Sequence, residues 1–318
     1  MKKTATPIIL IICFFAMLSA SDLTKASALK GLNLWLFTLV PTLLPFMIIS
    51  SVIMETGSYK IITFFMRPIM TKLFHLDENS GYPLFMGLLC GFPMGSKITA
   101  DMVSKGYLSV HHGNILITFC NNISPAFIIG YMISHVLGLS GPDACVIIAA
   151  MFLGPIISGI IMSRLLLRFF SSHSCDKKAM LPNTGERKET VHGFAIIDVC
   201  ILKSFENIIK LGGYIIIFTI ICGMITPFID NEFFNAAMSG ILEITSGLNS
   251  FSSIRCDKTV ILTVCVLTSF GGLCSIAQTY SMINRSGLSL KIYILGKLAG
   301  SLVTFILVSL CLYFIKFL

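Results

Sequence analysis

YPLFMGLLCGFPMGSKITADMVSKGYLS, residues 82–109, holds the pattern on which the reading of the fold turns. Its apolar part gives only about 14 residues before Ser96 and Lys97, against the roughly 20 that a helix needs to cross a hydrocarbon core. Gly91, Pro93 and Gly95 break its end. Such a segment predicts a re-entrant hairpin, tip at Gly91 to Lys97, with a more polar returning limb from Ile98 to Ser109 that carries Thr99, Asp101, Ser104 and Lys105. Irregular backbone at membrane depth is tolerated only where protein or a water-filled cavity surrounds it. The stretch therefore predicts both a membrane protein and an internal polar site.

The whole chain agrees. It has 318 residues, 55% hydrophobic and 12% charged, with a mean hydropathy of +0.88; soluble domains carry about 25% charged residues. A secreted disulfide scaffold, a nucleic-acid reader and a disordered regulator are excluded. The net charge of +8 sits mostly in short connections, where it sets orientation in the bilayer. The eleven cysteines form no C-x-x-C pair and read as small hydrophobes. The adjacent His111 and His112 lack flanking carboxylates or cysteines at ligand spacing, so neither a metal site nor a cofactor is expected.

Four regions follow: an N-terminal transmembrane helix at 1–30, a first repeat with a connecting span at 31–170, a cytoplasmic linker at 171–193, and a second, inverted repeat at 194–318. The run Pro7 to Ala20 after Lys2-Lys3 also reads as a signal peptide; a retained helix is favoured, because the polytopic chain behind it needs no cleaved signal. Pro41 and Pro45 predict a broken or kinked second span from about Leu34 to Met54, and Tyr59 to His75, interrupted by Pro68, reads as an interfacial elbow. A long run from about Gly113 to Leu137 is interrupted by NNISP, residues 121–125. A clean span follows at about Cys145 to Leu167. In the second half, an amphipathic stretch (Phe194 to Lys210) leads into a span to Phe228, then a moderately apolar stretch around Glu243, a run from Val260 and a last span from Ile292 to Phe314.

Shifting the sequence by 180 residues lays Gly91–Ser109 over GGLCSIAQTYSMINRSGLS, Gly271–Ser289, with identity at Gly91/Gly271, Thr99/Thr279, Met102/Met282, Leu108/Leu288 and Ser109/Ser289. The second segment is expected to be a second hairpin. The second span, the one after the first hairpin and the one before the linker make three crossings, an odd number that sets the halves antiparallel; six full crossings, two re-entrant hairpins and both termini inside are expected if the first helix is retained. With the linker inside, sixteen of the 23 Lys and Arg fall on the inner side or in the hairpin entered from it, as positive loops should. The expected class is an all-α polytopic membrane protein with an inverted repeat, a hallmark of secondary transporters.

PTLLPFMIISSVIMETG (41–57), GFPMGSKITADMVSKGYLS, NNISPAFIIG (121–130), ILEITSGL (241–248) and GGLCSIAQ (271–278) together resemble the YlbJ/SpoVV sporulation integral membrane proteins, of the nucleoside recognition or Gate group. The resemblance covers nearly everything after residue 30. It implies an architecture distantly similar to concentrative nucleoside transporters and a role in moving dipicolinate into the developing spore.

The candidate residues follow from these breaks. Gly91, Pro93, Gly95, Ser96 and Lys97 make a sharp turn that opens a helix, whose free N–H groups and a lysine suit an anion; a turn alone, with Lys97 snorkelling, is the plainer reading. Asn121, Asn122 and Ser124 either bond helix to helix or ligate substrate. Gly271, Gly272, Ser275 and Gln278 are their counterparts without a lysine. Glu243, in apolar surroundings, is expected to pair with Lys297 or Lys97 or to carry a coupling proton; Asp101 reads as a solvated helix residue. No catalytic set occurs, so an enzyme is not expected. The expected partners are a small anionic substrate and the lipid bilayer, not nucleic acid, and a homo-oligomer is compatible with the sequence. A neutral nucleoside substrate and a non-transporting protein of the spore envelope are the alternatives.

Overall fold

The computed structural model describes residues 2–172 and 194–314, and the expected linker at 171–193 lies almost wholly outside them. Every regular element among the described residues is helical. α1 (Lys2–Ser19) ends at a one-residue step, and α2 (Ser21–Asn33) begins at Ser21. From there the helix runs through a π-wound turn at Leu34–Leu39 into α3 (Val40–Glu55). The second span is therefore unbroken, and it begins before residue 30 and not after it. Wider winding just ahead of Pro41 and Pro45 accommodates the donors those prolines lack.

The elbow is α4 (Tyr59–Pro68), prolonged by π-wound Ile69–Phe74 across Pro68. It leaves Ile61, Phe64 and Phe65 exposed while Tyr59 and Thr63 face inward, and Arg67 pairs with Glu78 at 3.0 Å. α5 (Gly81–Cys90) and α6 (Met94–Ser104) then pack side by side around the turn Gly91-Phe92-Pro93. Gly91 holds φ at +82°, a conformation open to glycine at little cost. This helical hairpin matches the expectation for residues 82–109.

The run expected at 113–137 is divided. α7 (Val110–Leu116) stops, residues 121–124 are irregular, and a π-wound helix resumes at Phe127–Val136. Asn121, Asn122 and Pro125 leave too little uninterrupted backbone for one crossing helix. α8 (Gly141–Ser172) and α9 (Phe194–Ile225) are the long spans on either side of the undescribed segment. Five continuous helical stretches among the described residues are long and apolar enough to cross a membrane, 21–55, 141–169, 195–228, 258–283 and 290–314. The expected count was six: the N-terminal helix and the divided run at 113–137 are not among the five, whereas 258–283, expected to hold a hairpin, is.

The second half corrects the hairpin assignment. α10 (Glu232–Leu242) and α11 (Ile244–Phe251) fold back on each other with Gly240 against Gly247, and the turn between them is Glu243. By contrast α12 (Lys258–Phe270) and α13 (Gly272–Ile283) do not lie side by side. They meet end to end at Gly271, whose φ of +85° closes α12. The second hairpin is thus at Glu243, and the GGLCS segment is a break within a span. Double glycine marks either device, which is why sequence alone placed the hairpin wrongly.

α14 (Leu290–Phe314) packs along α8 and α12, α2 and α3 pack along α9, and α6 packs against α13. One apolar cluster gathers Met47, Tyr82, Ile98, Ile115 and Tyr293; the other gathers Ile128, Ile147, Phe251, Val264 and Val308. Both hairpins and both interrupted segments converge between these clusters.

Candidate functional site

Asn121 organises the convergence. Its amide nitrogen donates to Thr279 Oγ1 at 3.0 Å and to the Tyr293 hydroxyl at 3.2 Å, and its oxygen accepts from the Ser96 backbone N–H at 3.4 Å. One buried side chain therefore joins the start of α6, the irregular loop, α13 and α14. Of its two readings, helix-to-helix bonding is the one this geometry describes. Asn122 turns to its own chain and donates to Phe119 O at 2.6 Å. Gly87 and Gly95, one on each limb of the hairpin, press against the Cys120 backbone, seating the hairpin on the break.

A cavity of about 880 Å³ opens beside this knot. The two hairpin turns form part of its wall, Gly91 and Phe92 from the first, Glu243 and Thr245 from the second. Ser124, Phe127, Tyr131 and Gln278 contribute from the interrupted segments, and Lys30 from α2. Pro93, Gly95, Ser96, Gly271, Gly272 and Ser275 do not line the cavity. Ser275 donates to Gly272 O at 2.8 Å, whereas Ser96 Oγ is fully buried without a hydrogen-bond partner. Gln278, at the wall, donates to Cys274 Sγ at 3.3 Å.

The charged candidates are placed differently from expectation. Lys97 is buried, and its ammonium bonds Asp101 Oδ2 at 2.7 Å, one helical turn along α6; it does not line the cavity. Asp101 is its ion-pair partner and not simply a solvated residue. Glu243 pairs with neither Lys97 nor Lys297. It is the N-cap of α11, accepting from Thr245 N at 3.0 Å and Ser246 N at 2.6 Å. Its charge is met by the positive end of that helix, which removes the need for a lysine. Lys297, only 3% exposed, reaches Ser269 O at 3.4 Å and lies 6.0 Å from the Tyr293 ring centre. The ion pairs of the described residues leave it without a carboxylate.

Lys30 is the functional candidate that sequence reasoning missed. It lies within what reads as an N-terminal segment, four residues before Leu34. The signal was available, because the helical pattern runs unbroken from Ser21 and puts Lys30 one turn before the apolar stretch.

The comparisons bear on this arrangement. Sporulation integral membrane protein YlbJ of Bacillus subtilis (strain 168) is 24% identical over 330 residues, covering 91% of this chain and 79% of that protein. The likeness runs along nearly the whole of this chain. No family model matches it, and no solved structure matches it. The similarity to this integral membrane protein and the five apolar helices among the described residues make the chain a multi-pass integral membrane protein, and the alignment takes in both hairpins and both interrupted segments.

Proposed function

We propose that this sporulation membrane protein is a transporter that moves dipicolinate across a forespore membrane. The observation that carries the reading is the 880 Å³ cavity bounded by two helical turns and two interrupted segments. A structural protein of the spore envelope would need the same spans but no partly polar hollow between broken elements. Phe92, Phe127 and Tyr131 offer ring faces to a flat aromatic acid, and Lys30 offers it a positive charge.

In this reading the halves form an inverted repeat of Gate type and the hairpins are re-entrant. The matching units are α5–α6 with the break at residues 121–125, and α10–α11 with the break at Gly271. The correspondence is of hairpin to hairpin and break to break, in place of the alignment of Gly91 with Gly271.

A second reading has a specific observation behind it. Apart from Lys30 and the helix-capping Glu243, the polar wall is neutral, with Gln278, Asn249, Thr245 and Ser124; amides and hydroxyls suit a nucleoside. Site protection separates the readings. With Ser124→Cys in membranes, millimolar dipicolinate should slow thiol labelling while nucleosides do not. Protection by nucleosides alone selects the second reading, and protection by neither leaves the envelope role.

A further inference from the structure

Behind the large cavity lies another of about 380 Å³, bounded by α2, α9, α10 and α11. Its character is different. No aromatic residue lines it; Ser27, Thr219, Ser239, Ser246 and Ser250 supply hydroxyls, and Lys30 is its one charged lining residue. Lys30, Thr219 and Ser246 line both cavities. The shared wall is thus one lysine and two hydroxyl side chains. Ser239, only 1% exposed, has no oxygen or nitrogen partner for its hydroxyl, whose neighbour is the Cys222 thiol. A thiol is a weak partner for a buried hydroxyl, which a ligand or water would complete.

We propose that this chamber is a second binding station for a small carboxylate anion, joined to the large cavity at Lys30. Lys30 is the charge that favours anions at the junction; Thr219 and Ser250 donate to Ile215 O and Ser246 O, which leaves Ser27, Ser239 and Ser246 to replace water around a carboxylate. The large cavity, holding Glu243 at its wall, then receives the ring, and the chamber receives the charge. The proposal rests on the transport reading for its direction of use, but the charge of the chamber stands by itself.

Ser250→Cys places a thiol in the chamber wall. In membranes, its labelling by anionic sulfonatoethyl and cationic trimethylammonioethyl methanethiosulfonate is followed by mass spectrometry of the modified peptide, each rate normalised to that with free 2-mercaptoethanol. The anionic reagent should react about fivefold faster, the effect of one nearby unit charge at intermediate dielectric. Lys30→Gln should abolish the preference and Lys30→Glu reverse it. An unchanged preference in both variants, or no labelling by either reagent, overturns the proposal. In proteoliposomes, sulfonate-modified Ser250→Cys should retain less than about a tenth of parental dipicolinate uptake; undiminished uptake also overturns it. If the unmodified parent shows no uptake while the Lys30-dependent preference persists, the transport reading fails and the anion station stands.

Discussion

A methyl group at Gly95 is the smallest change that should unseat the first hairpin. Built on the backbone, it would lie 2.7 Å from the Cys120 carbonyl carbon and 3.1 Å from Cys120 Sγ, and closer still to the carbonyl oxygen. Carbon atoms in contact sit about 3.5–4.0 Å apart, so the overlap is nearly an ångström. The obstructing atoms are backbone, and Gly87 closes on the same carbonyl from the other limb, so relief requires separating α6 from the break at residue 121. Overpacking of this kind costs about 1–3 kcal/mol. The gain from alanine in a helix returns up to about 1 kcal/mol, leaving a net loss near 2 kcal/mol. Thermal unfolding in detergent, read from the fluorescence of the single Trp35, should show Gly95→Ala about 5 °C below the parent, at about 2–4 °C per kcal/mol. Gly130→Ala, which meets nothing within 4 Å, should match or exceed the parent. Equal midpoints for the two variants would show that the hairpin is not seated on this carbonyl.

Three further outcomes follow from the charged residues. Glu243→Ala removes the cap of α11 and should cost about 1–2 kcal/mol in the same assay, whereas Glu243→Gln, which keeps one acceptor, should cost less than half as much; equal losses would deny the capping role. Lys97→Gln breaks a partly buried pair and should lower the midpoint more than Lys105→Gln does, yet leave the affinity for dipicolinate within about threefold, and a larger affinity loss would put Lys97 at the substrate. Lys297→Met replaces a buried ammonium that has no carboxylate with an apolar chain of similar length and should hold or raise the midpoint; a fall of several degrees would reveal a partner for that charge.

Much of the fold could be read from the residues because membrane solvent imposes a strict code. The short apolar run ending in Gly91, Pro93 and Gly95 predicted a hairpin that is present as α5–α6, and Asn121 to Pro125 predicted an interruption that is present too. Where the reading went astray, two structures share one local signal. Gly271 and Gly272 could turn a hairpin or break a span, and only the absence of side-by-side packing between α12 and α13 separates these. Glu243 misled in the opposite way. A carboxylate in apolar sequence suggests a lysine partner, but a helix start satisfied it through backbone N–H groups, which no pairing of side-chain charges can anticipate. Lys97 and Asp101 are four residues apart, and their pairing was legible from helical spacing alone. Lys30 was hidden by the boundary drawn at residue 30, inside a helix that continues past it.

Transport is the central claim, and radiolabelled dipicolinate accumulation in proteoliposomes containing the purified chain measures it directly. The account predicts uptake above that of protein-free vesicles, saturable, competed by unlabelled dipicolinate and reduced about tenfold or more by Lys30→Glu. Uptake indistinguishable from empty vesicles, with correctly inserted and thermally stable protein, would contradict it.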